Sequence, residues 1–221
     1  MDFQQVIEKI TGFLDQGVSS IGFVSPTHMA EQVRQIIAAV NLSGKKPVYV
    51  WNSNGFDRVK ILETFENTID VYLPDFKYAD TQLGRVLSGV DDYPEKALKA
   101  IREMVRQKGT SITLNDDGTI ESGVIIRHLI LPGHVENSKQ CLRLLAEEIS
   151  PSLFISLMSQ YHPVPGIKGH PELNRTLIQE EYEEVLEEYY RLGFYRGWTQ
   201  ELVSEATYNP DFYSEKPFPD L

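Results

Sequence analysis

Polar side chains follow four short apolar runs of this sequence, at the points where the runs end. The four groups are Thr27 and His28, then Asn52, Ser53 and Asn54, then Asp75 and Lys77, and finally Tyr161 and His162. A fifth run, residues 124–131, carries Arg127 and His128 inside it. Functional groups of parallel α/β folds gather on the loops that leave the carboxyl ends of the strands. We therefore expect these residues to hold a small polar ligand.

Each of these loops also has a simpler interpretation. Ser, Thr, Asn and Asp form turns and cap helices in any fold of this kind. Asp75 and Lys77 are two residues apart, a spacing that points both side chains the same way at a strand end. They would form either an internal ion pair or two charged contacts to a ligand. Arg127 lies in an apolar strand and needs a carboxylate partner, from the protein or from a ligand, because an unpaired buried guanidinium is very costly.

The apolar runs alternate with amphipathic segments, so the elements that position these residues are strands and helices in turn. Strands are predicted at residues 21–24, 47–51, 69–73, 124–131 and 153–158, and helices near 3–16, 30–40, 59–65, 93–107, 138–148 and 178–192. Asp117-Gly118 predicts the turn of a small hairpin over 112–121. This rhythm favours parallel pairing with right-handed crossovers, in an α/β barrel or an open doubly wound sheet. We expect one domain, residues 1–221.

The composition excludes several classes of partner. The formal net charge is −11, which argues against binding to nucleic acid or to anionic membranes. No apolar stretch approaches the roughly 18 residues of a membrane-spanning helix. The first residues lack the basic and apolar regions of a secretory signal, so a cytoplasmic location is expected.

The sequence also lacks several site motifs. Cys141 is the one cysteine, so this chain builds neither an internal disulfide nor a cluster site of several thiolates. His134, His162 and His170 lack the spacing of an HExxH zinc site, and we predict no metal ligands. Glycine-rich phosphate loops and the Gly-x-Ser-x-Gly elbow are absent. The six glutamates between residues 180 and 188 are predicted to form a solvated helix face.

Five segments in register resemble a known family. They are VSPTH at 24–28, VYVWNSNG at 48–55, DVYLPDFK at 70–77, IRHLILPG at 126–133 and SLMSQY at 156–161. The sequence ELNR at 172–175, the acidic helix and the aromatic tail at 208–218 extend the likeness over nearly the whole chain. Together they resemble radical S-adenosylmethionine (SAM) proteins that are homologues of pyruvate formate-lyase activating enzyme.

The resemblance implies a partial (β/α) barrel and a reaction in which a [4Fe–4S] cluster reductively cleaves SAM to a 5′-deoxyadenosyl radical. The resemblance implies that SAM contacts come from every strand end. Thr27, followed by His28, would lie near the amino group, and Asn52, Ser53 and Asn54 near the methionine moiety. Asp75 and Lys77 would contact SAM, Arg127 would lie near its carboxylate or ribose, and Tyr161 and His162 near the adenosine. A ligand with both signs of charge needs both signs around it. The implied domain has its barrel at about 1–162 and a loop, acidic helix and tail at 163–221.

The family's CxxxCxxC segment, which follows its first strand, has no counterpart here, and five predicted strands replace six. We therefore expect the first βα unit to be missing, the complete protein to be an enzyme, and this chain alone to be inactive. Its partners would be SAM and either a protein substrate or a complementing N-terminal fragment. The alternative is a cluster-free relative that serves as a binding or assembly module. In either case residues 21–24 would form a sheet edge, which favours a homodimer or a poorly soluble monomer.

Overall fold

The computed structural model describes residues 2–164 and 169–202. Its sheet contains seven strands: β1 (Ser20–Val24), β2 (Val48–Ser53), β3 (Val71–Pro74), β4 (Thr113–Leu114), β5 (Ile120–Leu129), β6 (Phe154–Met158) and β7 (Gly197–Thr199). The strand order is β1-β2-β3-β5-β6-β7, and every neighbouring pair along this path is parallel. The α/β prediction with a parallel sheet is confirmed.

The described residues form seven α-helices, of which α1 precedes the first strand and the others lie between strands. They are α1 (Phe3–Asp15), α2 (Ala30–Leu42), α3 (Val59–Glu63), α4 (Thr81–Ser88), α5 (Tyr93–Lys108), α6 (Val135–Glu148) and α7 (Gln179–Arg191), with 3₁₀ turns at Pro26–Met29 and Pro171–Leu173. Six helices lie where the periodicity predicts them. Helix α4 was missed in a polar stretch, although Asp80 caps its first turn by accepting from the amides of Gln82 and Leu83. Among these described helices, none has the length and apolar character that crossing a membrane demands.

The strand count differs from the prediction. The path has six parallel strands and not five, because β7 adds a sixth beside β6. All three β7 residues are exposed, so no buried apolar run announced the strand. The count therefore no longer supports a missing first βα unit. Strand β1 does lie at a sheet edge as predicted, with β2 on one side and no other strand of the described ranges beside it. The hairpin is confirmed, since β4 pairs antiparallel with β5.

One face of the sheet packs against helices and forms the core. Trp51, Tyr72, Ile126 and Leu157 are fully buried on this face, one from each of four strands. In each strand, the residues next to these point their side chains to the opposite face of the sheet. That face is buried at its centre but exposed at its edges, where Val24 is 74% and Trp198 is 48% exposed. Asn52, Asp75 and Arg127 lie on this second face, close to the carboxyl ends of their strands.

Two further predictions have no structural outcome. The predicted aromatic tail at 208–221 lies outside the described residues, as does the middle of the loop at 163–172. The single domain over residues 1–221 stays a prediction.

Candidate functional site

The register of three neighbouring strands brings three predicted site residues together. Asn52 of β2 is paired with Leu73 of β3, and Asp75 follows β3 and forms a bridge with Arg127 of β5. Asp75 continues the backbone pairing through its amide, which donates to the Ser53 carbonyl at 2.9 Å. The three side chains therefore meet above adjacent strands at the carboxyl edge of the sheet.

These side chains form a hydrogen-bonded ionic cluster together with Lys77. Arg127 Nε donates to Asp75 Oδ1 at 2.8 Å, and an Arg127 Nη2 hydrogen reaches Asn52 Oδ1 at 2.8 Å. Lys77 Nζ lies 2.6 Å from the other carboxylate oxygen, Asp75 Oδ2. The Asp75 side chain is 13% exposed, against 29% for Arg127 and 38% for Lys77. The carboxylate is thus the enclosed centre, and the two cations face outward.

The cluster shows which partners Arg127, Asp75 and Lys77 have within the protein. The partner of Arg127 is a protein carboxylate, and Asp75 and Lys77 do form an internal ion pair. Donors nevertheless remain. Arg127 carries five N–H groups, and its Nη1 end makes no hydrogen bond with any residue in the described ranges, where two of the three Lys77 ammonium hydrogens are also unused. With two cations and one carboxylate, the cluster has an excess positive charge that faces the partly open side of the sheet.

Tyr93 holds the two loops of this edge at a fixed distance. Its hydroxyl oxygen lies 2.8 Å from the Asn54 carbonyl oxygen and 3.0 Å from the Asp75 carbonyl oxygen, and it accepts from the Lys77 amide at 3.0 Å. Burial raises the pKa of this phenol well above its ordinary value, so it stays protonated. Gly55 allows the close approach, because a Cβ there would collide with the Asp75 carbonyl oxygen. Sequence reasoning missed Tyr93, which comes from a helix start.

Four other predicted residues line a separate pocket beside the cluster. Thr27, His28, Ser53 and Asn54 surround a cavity of about 470 Å³ with Ser25, Phe56, Arg58 and Ile61. Asn52 and Ser53 are consecutive in β2, so their side chains point to opposite faces of the sheet. The structure therefore divides the predicted set: Asn52 joins the ionic cluster, and Ser53 joins the pocket on the helix side.

A buried carboxylate under this pocket was not predicted. Asp57 is 5% exposed and accepts from Trp51 Nε1 at 3.2 Å, from Ser53 Oγ at 2.5 Å and from the Thr27 hydroxyl. Three donors satisfy this carboxylate without a cation. Since Thr27 and Asp57 are 30 residues apart, only the parallel pairing of β1 and β2 reveals that they meet.

Tyr161 and His162 follow β6 and are not among the residues that line the pocket. Tyr161 is 9% exposed, and its hydroxyl donates to the Leu173 carbonyl at 2.9 Å, so it anchors the 3₁₀ turn at Pro171–Leu173. Burial raises the pKa of its phenol. No contact that joins Tyr161 to the ionic cluster is recorded within the described ranges.

His128 lies directly beneath the cluster on the core face of β5. It is fully buried, and its Nδ1 lies 2.6 Å from the Phe76 carbonyl oxygen, between Asp75 and Lys77 in sequence. Burial, helped by the positive charge of nearby Lys77, lowers the pKa of this imidazole to about 4. The ring is therefore neutral at pH 7. We infer that Nδ1 carries the proton and donates it to the carbonyl, which holds the loop in place.

Cys141 does not offer a metal ligand. It is fully buried on α6, and burial raises the pKa of its thiol, so the thiolate is disfavoured. Across residues 2–164 and 169–202, no group of three or more His, Cys, Asp or Glu side chains is arranged to hold a metal ion.

The fold and the cluster define an α/β protein with charged groups at the carboxyl edge of a parallel sheet. A domain of pyruvate-formate lyase-activating enzyme from Bacteroides vulgatus has a similar structure. Its TM-score is 0.57 with 16% sequence identity, over 82% of this chain and 98% of that domain. At this identity the likeness concerns the fold alone.

A relative by sequence is an uncharacterized protein of Methanocaldococcus jannaschii. It is 32% identical over 155 residues, which is 69% of this chain and 40% of that protein. The chain thus spans about two fifths of the length of the curated relative it matches. No family model matches the chain.

Proposed function

We propose that this chain is the SAM-binding part of a radical SAM protein of the pyruvate formate-lyase activating type. The observation that carries the proposal is the ionic cluster of Asn52, Asp75, Lys77 and Arg127. It lies at the carboxyl edge of a fold similar to a domain of pyruvate-formate lyase-activating enzyme. In parallel α/β folds this edge is where ligands bind.

The charges of the cluster suit a ligand that carries both signs. SAM has a carboxylate, an ammonium and a sulfonium. Its carboxylate would take the unused donors of Arg127 Nη1 and the Lys77 ammonium, because charge-assisted pairs of this kind are the strong ones. Asp75, held between both cations, fixes their positions and adds negative potential for the positive end of the ligand.

An iron–sulfur cluster does not fit the residues of this chain. Such clusters are held by cysteine thiolates, and the single Cys141 is buried with its pKa raised. We propose that the ligands of a [4Fe–4S] cluster come from a polypeptide segment outside these 221 residues. The radical reaction and its protein substrate then belong to the complete assembly, and this chain contributes the binding of SAM.

The remaining predicted SAM contacts lie outside the ionic cluster. Thr27, His28, Ser53 and Asn54 line the neighbouring pocket, and Tyr161 and His162 follow β6. Each would contact SAM only if the ligand extends beyond the cluster. A homodimer through the β1 edge also stays a prediction.

Isothermal titration calorimetry of this chain with SAM tests the proposal. We expect saturable binding that Arg127→Gln weakens about 10-fold or more, since a hydrogen bond to a charged group contributes about 1.5–3 kcal/mol. Arg102→Gln is the matched control, because Arg102 is an exposed arginine whose partner is Glu148 on α6. It should leave SAM affinity unchanged. Absence of saturable heat with the wild-type chain would refute the proposal and favour a cluster-free module that does not bind SAM.

A further inference from the structure

The pocket beside the cluster contains two cationic or donor groups that the protein itself does not use. Arg58 and His28 line the cavity, and neither side chain makes a hydrogen bond or an ion pair with another residue in the described part of the chain. Both are exposed. A guanidinium presents a fixed fork of five donors, and an imidazole has at least one N–H in either protonation state.

A hydrogen bond to the side-chain oxygen of Asn54 leaves its NH₂ group as a further donor in the pocket. Asn54 Oδ1 accepts from the Phe56 amide at 3.0 Å, so the NH₂ end is the one left for a ligand. The hydroxyls of Thr27 and Ser53 are committed to Asp57 and cannot donate elsewhere. The free side-chain donors of the pocket therefore come from Arg58, His28, Asn54 and the Ser25 hydroxyl.

No acidic side chain lines the cavity to compete with these donors. The lining contains neither Asp nor Glu, and Asp57 lies beneath it with three donors of its own. The chain as a whole has a formal charge of −11 and repels anions. An anion that binds must consequently find a local site that is free of carboxylates. Its apolar wall, Phe56 and Ile61, leaves room in about 470 Å³ for more than an inorganic ion.

We propose that this pocket binds the carboxylate or phosphate group of a small organic molecule, with Arg58 as its charged contact. The organic part packs against Phe56 and Ile61, and the NH₂ of Asn54 and a ring N–H of His28 are further donors. This pocket is separate from the ionic cluster, and the inference does not depend on SAM binding.

Nitrogen–proton NMR titration of the full chain, without SAM, tests the inference. The probes are phenyl phosphate, benzoate and inorganic phosphate at constant ionic strength. We expect saturable shifts of the Ser25 and Asn54 amides with the organic anions and weaker binding of inorganic phosphate. The tighter of the two organic probes identifies the headgroup as phosphate or carboxylate.

Arg58→Gln should weaken the tighter probe by about 10-fold or more, as expected for loss of a charge-assisted pair. Arg58→Lys keeps the positive charge but lacks the fork of guanidinium donors, so its affinity for the probe should lie between those of the wild type and Arg58→Gln. Arg85→Gln removes the same charge from an exposed arginine of α4, paired with Asp91, and should leave the affinity unchanged. Arg58 is exposed, so the spectrum of the core is expected to stay the same.

Three results would overturn the inference. One is the absence of saturable shifts at Ser25 and Asn54. Another is an Arg58→Gln affinity equal to that of the wild type. The last is equal weakening by Arg58→Gln and Arg85→Gln, which would mean a response to overall charge alone. Loss of SAM binding at the ionic cluster would not affect any of these readouts.

Discussion

Replacing Asp57 tests whether a buried carboxylate organises the carboxyl edge of β1 and β2. Its three donors are the Trp51 indole N–H and the hydroxyls of Thr27 and Ser53. In Asp57→Ala the Trp51 N–H, on a fully buried side chain, loses its acceptor and cannot rotate to another. Each buried polar group left unsatisfied costs about 1–3 kcal/mol, and the hydroxyls recover part of their loss by rotation. We expect the free energy of unfolding to fall by about 3–5 kcal/mol.

Asp57→Asn provides the matched comparison. Its side-chain oxygen can still accept from Trp51 and Thr27, so only the Ser53 hydrogen bond and the charge are lost. The expected cost is about 1–2 kcal/mol. Asp91→Asn, at an exposed carboxylate paired with Arg85, should cost under about 1 kcal/mol. Urea unfolding at pH 7 measures all three. If Asp57→Ala costs no more than Asp91→Asn, the carboxylate does not have the role described.

Two further predictions concern buried ionisable groups, and a third concerns the lack of cluster ligands. The pKa of His128 in the folded protein is lowered from 6.5 to about 4, so its contribution to stability is present above pH 6.5 and is lost as the pH falls toward 4. Between pH 7 and 4.5, the free energy of unfolding in urea should fall by about 2–3 kcal/mol more in the wild type than in His128→Gln. Equal losses in the two proteins would contradict this. Glu188→Gln should cost about 1–3 kcal/mol, because Glu188 accepts from Arg143 and Arg191, whereas exposed Glu187→Gln on the same helix should cost almost nothing. Anaerobic reconstitution with iron and sulfide should leave this chain without the visible absorbance of a [4Fe–4S] protein, and a stable cluster would refute the need for outside ligands.

The positions of apolar runs and of turn residues in the sequence predicted much of the fold. Apolar runs ended by polar residues located five of the six parallel strands, and Asp117-Gly118 located the hairpin turn. Strand β7 was missed because its three residues are exposed and its pairing with β6 spans about 40 residues of sequence. Local composition carries no signal for such a pairing.

The polar and charged residues of the site were likewise predicted where the signal is local and missed where it depends on distant partners. The two-residue spacing of Asp75 and Lys77 predicted that they share a direction, and the cost of a buried guanidinium predicted a carboxylate for Arg127. Asp57 and Tyr93 were missed because their partners lie on other elements.

The prediction of a solvated acidic face on α7 was wrong for two of its six glutamates. Glu181 is largely enclosed and binds Arg175, and Glu188 is buried and binds two arginines, whereas Glu184 binds Lys139 but stays exposed. These hydrogen bonds lower the pKa of Glu181 and of Glu188 to about 2. A helical sequence pattern does not reveal which of its charges a neighbouring helix will meet.

A crystal structure of this chain grown with SAM tests the central claim most directly. The account predicts SAM at the carboxyl edge of β2, β3 and β5, with its carboxylate within hydrogen-bond distance of Arg127 Nη1 or Lys77 Nζ. SAM bound elsewhere with the Arg127–Asp75–Lys77 ion pairs untouched would contradict it, and so would an empty edge at saturating SAM.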